Sequence, residues 1–152
     1  MTTKTEKIRQ PDTVTQFSVF VANRLGRLHD LIKLFSSHAV HALGITILDT
    51  TESSIIRLVV DDPEKARALL KENDFAFTES ELVCVAIDSA AQLNELAASL
   101  LESELNINYM YSLIPQSQGK PILAISMEDN EMAEKLLAQH SFRVLRQADI
   151  SR

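Results

Sequence analysis

Apolar and polar residues alternate from Val14 to Val21, placing Phe17, Val19 and Val21 on one face and Gln16 and Ser18 on the other, the period of a strand. After Gly26 the period changes. Leu28, Leu31, Ile32 and Phe35 recur at helical spacing, which predicts a helix that stops near His38 before a β-rich segment over 40–48. A polar turn over 49–54 leads to a strand over 55–60. Asp62-Pro63 then reads as an N-cap with proline at the first helical position, and Ala66, Leu69 and Leu70 form the apolar stripe of the helix it starts. Residues 75–87 are extended again and too long for one ordinary strand, so a bend or junction is expected at 79–81.

The order then begins anew. Leu93, Leu96, Ala97, Leu100 and Leu101 form a helical stripe, 105–113 a strand, 115–120 a turn and 122–127 its hairpin partner. A last helix carries Met132, Ala133, Leu136 and Leu137, and 142–145 closes the pattern as a strand. The reading is βαββαβ, twice. Superposing landmarks supports a duplication: Leu28 with Leu93 and Leu31 with Leu96 lie 65 apart, Asp62 with Asp129 and Phe75 with Phe142 lie 67 apart. A second hairpin turn two residues longer explains the difference. The fold class expected is α+β, two ferredoxin-like repeats with antiparallel sheets and helices on one face: a leader over 1–12, a first domain over 13–80 and a second over 81–152. Residues 82–87 are apolar on both faces and 55–60 are nearly so, interrupted by Arg57, so the bare sheet faces need a cover. Either the other half or a second chain can supply it, and a homodimer is expected.

Composition narrows the function. The chain has 152 residues with 45% hydrophobic content, enough for a core, and only three Gly and four Pro, which leaves few irregular loops for an active site. A net charge of −6 with no Lys or Arg run argues against nucleic acid. The lone Cys84, between Val83 and Val85, excludes an internal disulfide framework and reads as a core residue. The polar leader has no apolar stretch of a signal peptide or membrane span, so a cytoplasmic protein away from membranes is expected. His38 and His41 are three apart but straddle a helix end without a third ligand, and read as surface histidines rather than a metal site. The acidic groups Asp61-Asp62-Glu64 and Glu128-Asp129-Glu131 sit at helix starts, where they offset the helix dipole. No framed nucleophile, phosphate loop or dinucleotide motif is present, so no catalytic residue and no cofactor are expected.

The run from Phe17 to Leu31 resembles the opening of an ACT domain, the small-molecule module of amino-acid metabolic enzymes: a strand ending in polar Asn23, a short loop carrying Gly26, and Leu28 beginning the helix. Leu25 stands where that family often has proline. The resemblance implies an effector site at Asn23, Arg24, Leu25, Gly26, Arg27 and Leu28. The physics of the turn points the same way, since glycine allows close backbone approach and the helix start suits a carboxylate, while Asn23 can accept from an ammonium group. The ordinary alternative is that Gly26 merely makes a tight βα turn and Asn23 merely ends the strand. The second copy has Ala91 where the first has Gly26, so its loop, 88–93, is expected to be structural. The resemblance implies a small amino acid or related metabolite as ligand, allosteric regulation, and an amino-acid metabolic enzyme as a further partner. An alternative is an interaction module that docks on such an enzyme without a ligand of its own. A weaker one is an acylphosphatase-like site on the same loop, with Arg24 and Arg27 holding phosphate.

Overall fold

The computed structural model describes residues 12–22, 26–114 and 119–151. Its elements run β1 (Val14–Ala22), α1 (Arg27–Ser37), β2 (Ala42–Asp49), β3 (Ser53–Val60), α2 (Pro63–Glu72), β4 (Ala76–Ala86), α3 (Ala90–Glu102), β5 (Ile107–Leu113), β6 (Ile122–Met127), α4 (Asn130–Gln139), β7 (Arg143–Leu145) and α5 (Gln147–Ile150). The strands bond in the order β2-β3-β1-β4-β6-β5, and β7 also pairs with β4. This is the ferredoxin-like order twice over, β2-β3-β1-β4 and β5-β6-β4-β7, with β4 serving as the last strand of one repeat and the first of the next.

Sharing β4 corrects one expectation. The strand is unbroken for 11 residues, and no bend interrupts it at 79–81. The handover comes later: Leu82 pairs with Val14 of β1, and the next residue, Val83, pairs with Ile125 of β6. Because side chains alternate along a strand, the parity of β4 carries through from one half to the other. Phe77 packs on the cluster of Leu31, Phe35, Ala66 and Leu70 from α1 and α2, and Val83 and Val85 pack on Leu96, Leu100, Ala133 and Leu137 from α3 and α4. The even positions, Leu82, Cys84 and Ala86, point the opposite way, into a third cluster with Val14, Leu43, Val59, Leu113, Ala124, Leu145 and Ile150. All four long helices therefore sit on the outside of one curled sheet. Near the junction its bare faces pack on each other, so the chain's own second half covers that part of the first.

Two features close this seam. The first is Gly44, beside a bulge in β2: a Cβ there would lie 2.3 Å from Leu113 Cδ2 and 3.2 Å from the Ser112 carbonyl oxygen. The bulge also frees the Leu43 carbonyl to accept from Ile114 N at 2.6 Å, which ties the two halves across β2 and β5. The second is Gln16, fully buried in β1. Its Nε2 donates to the Tyr109 hydroxyl at 2.6 Å and to Ser80 Oγ at 3.1 Å, and its Oε1 accepts from the Tyr111 hydroxyl at 2.7 Å. A buried amide is tolerable in such a layer because its donor and acceptor both find partners.

The four long helices end alike. Ala39, Asp74, Glu104 and Ser141 each take a left-handed conformation, with φ of 58°, 57°, 54° and 66°. The following apolar residue then donates its N–H back into the last turn: Val40 to Phe35, Phe75 to Leu70, Leu105 to Leu100 and Phe142 to Leu137. This is a Schellman ending, usually made with glycine. At the helix starts, Asp62 accepts from Lys65 N and Asp129 from Met132 N, equivalent caps in the two repeats.

Helix α5, which the sequence pattern did not suggest, clasps the C-terminal segment to the start of β1. Gln147 Oε1 accepts from Thr15 N at 3.1 Å, its Nε2 donates to the Val60 carbonyl at 3.2 Å, and its own N–H donates to the Asp12 carbonyl at 2.8 Å. Gln147→Ala strands the Thr15 N–H and the Val60 carbonyl, and we expect it to cost about 1–3 kcal/mol of stability, read as a lowered midpoint in urea unfolding.

Candidate functional site

The β1–α1 turn leaves the sheet after Ala22 and enters α1 through Gly26 at φ 92°, ψ −10°, a left-handed conformation that side chains disfavour. A Cβ there would meet nothing within 4 Å, so glycine serves the backbone angle and not a close contact. Gly26 supplies no side-chain cap to α1, and its carbonyl accepts from Asp30 N at 2.9 Å. The equivalent entry in the second repeat is different. Ser89 precedes α3 in an extended conformation, φ −159°, and the Gln92 side chain folds back to accept from Asp88 N. Lys120 also pairs with Asp88. The second turn thus has Asp88 engaged by Gln92 and by Lys120 from the approach to β6, and like Gly26 its Ser89 gives its helix no side-chain cap.

Of the six residues expected at the first turn, Asn23, Arg24 and Leu25 lie outside the described residues. The other three diverge. Leu28 packs partly buried against the first core, while the Arg27 guanidinium lies 5.0 Å from the Phe75 ring centroid and 3.9 Å from Asp30 Oδ2. Arg27 therefore faces along the outside of α1, where it borders an open groove of about 380 Å³ with Lys33, Ser37, His38 and Asn73.

The histidines also separate. His38 Nδ1 contacts the Leu34 carbonyl at 2.9 Å, whereas His41 Nδ1 lies 2.8 Å from Asp61 Oδ2 and its backbone N–H donates to Asp61 Oδ1. Asp61 is buried, so its role is to hold His41 and the start of β2, and only Asp62 of that acidic run caps the helix. Sequence spacing missed the pair because 20 positions intervene. Among the described residues, no group of three or more His, Cys, Asp or Glu is placed to hold a metal ion, and no helix is long and apolar enough to cross a membrane.

Cys84 lies in the seam, where burial, and secondarily the charge of Glu134, push its thiol from 9.0 up to about 12. Burial likewise raises the Tyr111 hydroxyl above its ordinary 10.0, helped by Tyr109 and Cys84 and opposed by Arg57. Both groups keep their protons in the folded chain at a pH where the unfolded chain has lost them. Stability is therefore expected to hold through neutrality and to fall as pH rises past the unfolded-state values, about 9 for the thiol and 10 for the phenol. Urea midpoints measured from pH 7 to 11 test this, and a midpoint that rose above pH 9 would contradict it.

A sequence model described as an ACT domain pair matches residues 12–152. None of the curated proteins matches the chain. Among solved structures, a protein from Bacteroides thetaiotaomicron superposes with a TM-score of 0.82 at 22% identity, covering 93% of this chain and 97% of that one. The ligand-free regulatory subunit of aspartate kinase from Thermus thermophilus gives 0.57 at 12% identity over 84% and 92% of the two chains, and the corresponding subunit from Thermus flavus gives 0.53 at 13% over the same shares. These structural likenesses establish the fold, and the sequence match, which takes in both repeats, establishes that the chain belongs to the ACT domain pair family.

Proposed function

We propose that this protein is a non-catalytic regulator in the cytoplasm that binds a small amino acid or related metabolite at the turn formed by residues 23–28. The observation that carries the reading is the asymmetry of the two turns. Neither helix start has a side-chain cap, but the first is entered through left-handed Gly26, whereas the second is entered through extended Ser89 with Gln92 and Lys120 both engaged on Asp88. An uncapped first turn presents N–H groups and partial positive charge to a carboxylate. Likeness of fold to regulatory subunits of aspartate kinase, within the ACT domain pair family, supports a ligand-sensing role, with an amino-acid metabolic enzyme as the regulated partner. A homodimer is part of this reading. Ile45, Ile47 and Leu48 are exposed on β2, an edge strand of the sheet, and a second copy pairing there would cover them. Binding must favour one assembly state over another, since a ligand with equal affinity for both regulates nothing.

Titration calorimetry with individual amino acids tests the site through Gly26→Asp, which adds a carboxylate where the ligand's carboxylate is expected. The side chain also strains a φ of 92°, at a cost of about 1–3 kcal/mol in stability. The expected result is a folded variant that has lost the binding heat. A variant that binds as the parent does would place the site elsewhere.

A further inference from the structure

We propose a second binding site, for a small oxyanion, at the open end of the seam between the two halves and centred on Arg57. The pairing registers define it. Thr46 pairs with Arg57, Arg57 with Ser18, and Ser18 with Thr78, so these four residues form one transverse row across β2, β3, β1 and β4 on the bare face of the sheet. Neighbours in such a row have Cβ atoms about 5 Å apart, which sets Thr46 and Ser18 on either side of the base of the Arg57 side chain, with Thr78 one strand further on.

The charges on this face are one-sided. Its positions in the first repeat are Val14, Gln16, Ser18, Phe20 and Ala22 on β1, Ser53, Ile55, Arg57 and Val59 on β3, Gly44, Thr46 and Leu48 on β2, and Ala76, Thr78, Ser80 and Leu82 on β4. Arg57 is the one charged residue among them. The carboxylates of β4, Glu79 and Glu81, alternate onto the opposite face, where Glu79 is held by Arg67. Among the described residues no carboxylate lies within ion-pair distance of Arg57. The guanidinium lies instead over Tyr109 of the second repeat, whose ring centroid is 4.1 Å from the guanidinium carbon.

This contact prepares the arginine for a ligand. Tyr109 is fixed from behind by the buried Gln16 amide and stacks at 6.4 Å on Tyr111, which Gln16 also holds. A guanidinium resting on an aromatic ring keeps its N–H edge free, and that edge matches two oxygens of a carboxylate or phosphate. The Arg57 row is half-buried to exposed, open enough for a small anion to enter and low enough in water for its charge to count. The site is separate from the β1–α1 turn: Ser18 lies in the body of β1, and the turn follows Ala22.

The chain has two tyrosines and no tryptophan; Tyr109 lies against Arg57 and Tyr111 stacks on Tyr109, so intrinsic fluorescence reports on the site. The full chain is titrated with sodium phosphate and separately with sodium succinate, at ionic strength held constant with sodium chloride. A saturable change in tyrosine emission is expected, and whichever anion saturates at lower concentration identifies phosphate or carboxylate as the preferred group. Arg57→Gln is expected to weaken binding at least tenfold. Arg57→Lys, which keeps the charge and the aliphatic stem but loses the fork, is expected to fall between, and serves as the test should the glutamine variant unfold. Gly26→Asp is expected to leave the titration unchanged. Absence of a saturable change with both anions, or an Arg57→Lys curve equal to that of the parent, overturns the proposal.

Discussion

Replacing Gly44 with valine is expected to lower the melting temperature by roughly 10 °C, the equivalent of about 3 kcal/mol in a chain of this length. The first added atom would sit 2.3 Å from Leu113 Cδ2 and 3.2 Å from the Ser112 carbonyl oxygen. Leu113 can rotate, but the carbonyl belongs to β5, so the strand itself must move. That movement pulls Ile114 N from the Leu43 carbonyl and opens the third apolar cluster, in which Leu43 and Leu113 both lie. Valine favours strands in isolation, so the loss separates packing between the halves from local propensity. A valine variant that melted with the parent would mean that the two halves do not close on each other at β2 and β5.

Gln16→Leu is the second large effect, about 2–4 kcal/mol, because it leaves two tyrosine hydroxyls in the half-buried seam without their partner. The comparison that isolates the cause is the double variant Gln16→Leu with Tyr111→Phe. Removing the orphaned hydroxyl should recover part of the loss, so the double variant is expected to be more stable than the sum of the single changes. Strict additivity in urea unfolding would show that Gln16 matters by shape and not by hydrogen bonding.

The repeats were legible because each core-facing stripe keeps its period: Phe17, Val19 and Val21 at two, then Leu28, Leu31, Ile32 and Phe35 at three and four. The shared β4 was half legible. Residues 82–87 announced burial on both faces, but pairing is a long-range property, so the position of the handover at Leu82 and Val83 could not be read locally. The helix ends hid their motif. Ala39, Asp74, Glu104 and Ser141 occupy the left-handed positions that glycine would have marked, and the apolar residues that follow them looked like strand starts. Helix α5 was invisible because four residues carry no period.

The candidate site was legible only in its backbone. Gly26 stood out as the glycine of a strand-to-helix turn and does adopt a left-handed conformation. Side-chain direction was beyond the pattern: Arg27 goes to Phe75 and Asp30, and Leu28 into the core. The Arg57 row was missed for a different reason. An arginine interrupting an apolar strand shows locally, but the hydroxyls of Ser18, Thr46 and Thr78 join it only through three strand registers, and Tyr109 arrives from the other repeat.

Thermal unfolding of the purified chain against single amino acids at millimolar concentration tests the central claim most directly. An amino acid present at about a hundred times its dissociation constant stabilises the folded chain by roughly 2.7 kcal/mol, which raises the melting temperature by about 5–10 °C. The account predicts such a shift for one amino acid or a closely related set, and its loss in Gly26→Asp. Melting that is unmoved by every amino acid tested would contradict a ligand-sensing role and leave a subunit that acts through protein contacts alone.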